Sequence, residues 1–119
     1  MAPVDLETRT TEFALRIIKL YSALPKTTEA QTLGKQLLRS GTSVGAHYRE
    51  AKRAKSAVDF ISKIEGALQE LDETCYWLEL IERSGIMSAK RLTPLREEAV
   101  ELTKILVTVV KRAKEKMKN

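Results

Sequence analysis

Apolar residues recur at intervals of three and four in four blocks of the chain, the spacing that lines side chains along one face of an α-helix. In the first block Phe13, Ile17, Tyr21 and Leu24 share a face while Glu12, Arg16 and Lys19 occupy another, which predicts an amphipathic helix over about 6–23. Pro25 follows its last turn, and Thr28 stands where an N-cap would open a second helix over about 29–54. The buried side of that helix reads Leu33, Leu37, Gly41, Val44, Tyr48 and Ala51. Ser56, with Asp59 three residues on, caps a third helix over about 57–83. Its seam is Ile61, Ile64, Leu68, Leu71, Cys75 and Leu78, and Arg83-Ser84-Gly85 closes it. A fourth helix starts at Ser88 or, more sharply, at Thr93-Pro94, an N-cap followed by proline at the first helical position, and runs to about 116. Leu95, Ala99, Leu102, Leu106, Val109 and Ala113 form its stripe, with glutamates near its start and lysines near its end, as the helix dipole favours. Four helices joined by short connections predict an all-α fold, an up-down-up-down antiparallel four-helix bundle.

Composition agrees with one domain covering 1–119: the chain is 43% hydrophobic and 31% charged, enough to bury a core without staples. Cys75 is the sole cysteine, which excludes an intrachain disulfide or a cysteine-based zinc site and fits a reducing compartment. Its place on the seam of the third helix makes it a small core hydrophobe rather than a reactive thiol. Apolar runs such as Ile105-Leu106-Val107 are far too short to span a bilayer, and Met1 to Asp5 carries no secretory pattern. A cytoplasmic protein without a membrane partner is expected.

Charge changes the picture more than composition does. The net charge is +5, yet it is unevenly placed. Lys35, Arg39, Arg49, Lys52, Arg53 and Lys55 face only Glu50 within their stretch, whereas Asp59, Glu65, Glu70, Asp72, Glu73, Glu79 and Glu82 face only Lys63 in theirs. The second helix is basic and the third acidic. Lys35, Arg39, Thr42, Ala46, Arg49 and Arg53 fall on one side of the second helix, with His47, Lys52 and Lys55 close by, and such a stripe can follow a phosphate backbone. The other reading pairs it with Glu65, Asp72 and Glu79, which repeat every seven residues on the third helix, within the chain or across a subunit interface. Gly41 and Gly45, four apart in a helix interior, point to a close approach by another backbone or to a kink. Tyr76 and Trp77 are adjacent on the third helix and cannot both enter one seam, so Trp77 stands at the edge of the core or anchors another subunit. Gly41, Gly45, Tyr76 and Trp77 are therefore the candidate oligomer contacts.

Catalytic chemistry finds little footing. A di-iron bundle needs two Glu-x-x-His units, and His47-x-x-Glu50 supplies one imidazole and one carboxylate on a single helix. No phosphate-cradling glycine loop or serine elbow is present, and a Cys75–His47 pair lacks an oxyanion hole. No metal, no cofactor and no enzymatic activity are expected.

Two stretches, Glu12-Phe13-Ala14-Leu15-Arg16-Ile17-Ile18-Lys19-Leu20-Tyr21 and Gln36-Leu37-Leu38-Arg39-Ser40-Gly41-Thr42-Ser43-Val44-Gly45-Ala46-His47-Tyr48-Arg49-Glu50-Ala51, resemble the four-helix-bundle proteins encoded in 23S rRNA intervening sequences. The likeness extends through Asp59-Phe60-Ile61 and Glu73-Thr74-Cys75-Tyr76-Trp77-Leu78-Glu79, although that family commonly has asparagine at the position of His47. The resemblance implies an all-helical protomer and a ring-like homopentamer. The family is also similar to the accessory variability proteins of diversity-generating retroelements, basic bundles that associate with a reverse transcriptase and with nucleic acid. It carries over no catalytic residues. Two functions stand: a nucleic-acid-binding oligomer, for RNA, with Lys35, Arg39, His47, Arg49, Lys52, Arg53 and Lys55 as candidate contacts, or a protein-interaction scaffold using the same basic helix against neighbouring subunits or a partner such as a reverse transcriptase.

Overall fold

The structure, a computed structural model, describes residues 5–118 and contains four helices: α1 (Leu6–Ser22), α2 (Thr28–Lys52), α3 (Ala57–Arg83) and α4 (Ala89–Met117). Small polar residues set the starts. Asp5 accepts from the Thr8 amide at 3.1 Å, Thr27 from Ala30 at 3.3 Å and Ser56 from Asp59 at 3.0 Å, each satisfying a helix-start donor that would otherwise lack a partner. The cap of α2 is thus Thr27 rather than Thr28, and Thr28 is already helical. At the far end α2 stops at Lys52, so Arg53 is its C-cap and Lys55 sits in the connection, two residues short of the expected end. α3 ends as its sequence suggests. Gly85 takes φ +78°, its amide bonds Glu82 O at 3.0 Å and the Ile86 amide bonds Ile81 O at 3.1 Å, the paired bonds of a Schellman motif that demand a left-handed residue.

The start of α4 corrects the Thr93-Pro94 expectation. The helix begins at Ala89 with Ser88 as N-cap, and Pro94 lies inside it, while Thr93 turns its hydroxyl back to Ala89 O at 2.7 Å. Proline there removes the hydrogen bond that residue 94 would donate to the Lys90 carbonyl. Extending the helix backwards nevertheless buries Leu92 completely, an apolar gain of about 1.5–3 kcal/mol that one lost surface bond does not cancel.

Successive helices pack on one another: α2 lies against α1 on one side and α3 on the other, and α3 against α4, as in an up-down bundle. α2 and α3 share the broadest contact, and α1 and α4 touch least. The core runs the length of the molecule through Phe13, Ile17, Leu37, Val44, Ile64, Leu71, Leu78, Leu92, Leu102 and Leu106, all fully buried, within a body of 53 × 29 × 21 Å. The seam of α3 differs from the expected one. Ala67, Thr74 and Ile81 are buried, whereas Leu68 and Cys75 are half-buried, because α3 serves two neighbours and its buried arc turns towards α2. Likewise Val110 replaces Val109 as the buried residue near the end of α4, and Tyr21, Leu33, Tyr48 and Ala113 lie at the margin of the core.

Candidate nucleic-acid interface

The glycines of α2 face α1. A Cβ on Gly41 would stand 2.7 Å from Ile17 Cγ1, and one on Gly45 would stand 3.2 Å from Thr10 Oγ1. Both glycines are buried within the protomer, which corrects their assignment to an oligomer contact and selects the close-approach reading. On the opposite side, against α3, Thr74 Oγ1 lies 2.9 Å from Ser40 Oγ, a buried polar pair that the hydrophobic pattern could not announce. Packing on two sides fixes the rotation of α2 and therefore which of its cations can meet solvent.

Three of the candidate residues are engaged inside the chain. Arg39 reaches Glu70 at 3.2 Å and also Glu73, so one guanidinium bridges α2 to two carboxylates of α3. His47 lies between Glu50, at 3.3 Å from Nδ1 but without the alignment of a hydrogen bond, and Glu70, at 3.7 Å from Nε2, with its ring against Gly66. Lys52 pairs with Glu7 of α1 at 3.0 Å. That carboxylate raises the affinity of Lys52 for its proton and holds it charged. The pairing of the basic helix with acids is thus real in part, but its acids are Glu70, Glu73 and Glu7. Of the acids expected, Glu65 instead meets Lys114 of α4 at 3.2 Å, and Glu79 meets Arg83 one turn away at 3.0 Å. A signal was available: Gly66, Glu70 and Glu73 follow at steps of four and three, and mark the side of α3 that meets α2.

The remaining cations are outward. Arg49 is exposed and donates to Thr11 Oγ1 of α1 at 3.1 Å, and Lys35, Arg53 and Lys55 are exposed with no ion pair among the described residues. Beside them α1 presents Leu15 and Ile18, 52% and 43% exposed, so the cationic stripe borders an uncovered apolar strip. Tyr76 is 53% exposed and stacks obliquely on Trp77, centroids 5.2 Å apart, while Trp77 packs against the core with its indole N–H buried and unpaired. Burial pushes the Cys75 thiol upward, with Asp72 adding to the shift, which keeps it protonated and unreactive. A cleft of about 390 Å³ lies between α3 and α4 beside Glu82, Glu97 and Glu101, away from the stripe. Among the described residues no three His, Cys, Asp or Glu side chains gather to hold a metal ion, and no helix is long and apolar enough to cross a membrane.

These features define an all-helical up-down bundle in which α2 and the turn after it present exposed cations. A family model described as 23S rRNA-intervening sequence protein matches residues 4–108, and the chain belongs to that family. A crystal structure of a protein of unknown function from the S23 ribosomal protein family of Bacteroides thetaiotaomicron VPI-5482 is similar to it, with 40% identity over 88% of this chain and 97% of that one and a TM-score of 0.84. No curated protein matches the chain.

Proposed function

We propose that this protein is a non-enzymatic oligomer that binds RNA through the outward cations of α2 and the turn after it, Lys35, Arg49, Arg53 and Lys55. The observation that carries the reading is their exposure without a carboxylate partner, in a helix whose other cations, Arg39 and Lys52, are held by the fold. Unpaired surface cations spaced along a helix meet successive phosphates and release counterions on binding, so affinity falls as salt rises. No aromatic platform flanks the stripe, so recognition follows backbone and shape rather than base identity. Self-association is supported by the exposed Leu15 and Ile18 beside the stripe, a strip of apolar surface that a neighbouring subunit would cover. Repetition of the stripe around an oligomer would multiply weak phosphate contacts into a useful affinity. The description of the family as 23S rRNA-intervening sequence protein, and the S23 ribosomal protein family to which its solved relative of unknown function belongs, fit an RNA setting.

The test is light scattering and fluorescence anisotropy with a short RNA hairpin at low and moderate salt. The expected result is an oligomer that gains RNA mass at low salt and loses it as salt rises, with Arg49→Glu and Arg53→Glu together weakening binding at least about tenfold. Arg39→Ala should instead lower stability with little loss of RNA affinity. RNA binding that ignores the Arg49 and Arg53 reversals, or a protein indifferent to RNA, overturns the assignment.

A further inference from the structure

The α1/α4 side of the bundle is unlike the other three. The two helices are joined where Arg9 grips Glu98 with two hydrogen bonds of 2.8 and 2.9 Å, and towards the Ala23 end of α1 they leave a cleft of about 340 Å³. Its floor is apolar, built from Leu20 of α1, Leu95 of α4 and the buried Met87 just before α4. Its rim is cationic: Arg16 and Lys19 on α1 and Arg91 on α4 are exposed, no carboxylate lines the cleft, and none of the three makes an ion pair among the described residues. The α2 stripe lies on the other side of α1, so the cleft is a second and separate positive surface.

We propose that this cleft is a docking groove for an acidic amphipathic helix of a partner protein. Two helices joined at one clamp with an open cleft beside it offer the space that a further helix fills, with apolar side chains at i, i+3, i+4 and i+7 entering the floor. Carboxylates flanking that stripe meet Arg16 and Lys19 on one wall and Arg91 on the other, and opposite charges on both walls fix the orientation of the guest. RNA is the poorer occupant, because Leu20, Met87 and Leu95 offer no aromatic face on which a base stacks. A small ligand is poorer too, since the volume falls at the low end of such sites, about 300–1,000 Å³, and the cleft is broadly open. The proposal does not depend on the RNA reading of α2.

The probe is a synthetic helix of about 15 residues carrying a leucine stripe flanked by glutamates, with a second peptide bearing lysines in their place. Anisotropy should show saturable binding of the acidic peptide to the full-length protein. Lys19→Glu with Arg91→Glu, checked for native helicity by circular dichroism, should weaken it at least about tenfold and transfer preference to the lysine peptide. Arg49→Glu with Arg53→Glu should leave peptide binding unchanged. In the unmodified protein, methyl NMR signals of Leu20, Met87 and Leu95 should shift on titration, a readout that needs no variant. Absence of saturable binding, unmoved methyl signals, equal affinity of the charge-reversed variant, or loss of RNA binding in that variant with no effect on peptide would each overturn the proposal.

Discussion

Gly41 shows how one missing side chain positions the candidate interface. Ile17 fills the space a Cβ would need, and as a fully buried β-branched residue it has little freedom to withdraw. Alanine at this position would gain up to ~1 kcal/mol in helix propensity, but overpacking costs about 1–3 kcal/mol, so Gly41→Ala should destabilise the protein by about 1 kcal/mol. Urea denaturation measures this, and an unchanged or raised midpoint would mean that α1 and α2 can part without loss. The same close approach brings Glu7 of α1 within reach of Lys52, so packing at a glycine helps decide that this cation is paired with a carboxylate, while Arg49 meets only the Thr11 hydroxyl. The sequence exposed the glycine pair but not its partner, because Ile17 and Gly41 meet only after the chain reverses.

Between elements, α2 and α3 are matched by charge outside and by hydroxyls inside. Arg39 bridges to Glu70 and Glu73 at the surface, where ion pairs are screened and contribute at most about 1 kcal/mol. Thr74 and Ser40 meet in the buried seam, where an unsatisfied hydroxyl costs more than it would in water. Each hydroxyl also lies near a carbonyl of its own helix, Thr74 at 2.8 Å from Glu70 O and Ser40 at 3.3 Å from Leu37 O, so removing one leaves the other satisfied. Thr74→Val and Ser40→Ala should therefore each cost only the shared bond, about 0.5–1.5 kcal/mol, and the double variant no more than either alone, a coupling of that same size in a double-mutant cycle. A coupling near zero would show that the two hydroxyls serve only their own helices. Sequence periodicity placed Leu68 and Cys75 on this seam because it weighs apolarity. The structure buries Ala67 and Thr74 instead, with Thr74 set against Ser40 of α2.

At the scale of the whole molecule, Arg9 and Glu98 tie the first helix to the last and leave the cleft beyond them open. The Arg9 hydrogen bonds hold the Glu98 carboxyl below the usual carboxylate range, against the opposing effect of burial. A carboxyl depressed in the folded state stabilises fully above the unfolded range, near pH 4.3, and loses that contribution as pH falls through its folded value. Glu98→Gln should therefore lower stability by about 1 kcal/mol at neutral pH, and the melting curves of variant and parent should converge on acidification. A constant gap down to acid pH would remove the clamp from the account. By itself, the sequence determined the four helices, their approximate ends and the segregation of cations on α2 from acids on α3, since caps, periodicity and local charge are properties of neighbouring residues. Only the tertiary structure decided that Arg39, His47 and Lys52 are held while Lys35, Arg49, Arg53 and Lys55 are offered, and that α1 and α4 part to leave a second positive groove. Those outcomes depend on how each helix is rotated about its axis, and rotation is set by steric fit between residues far apart in the chain.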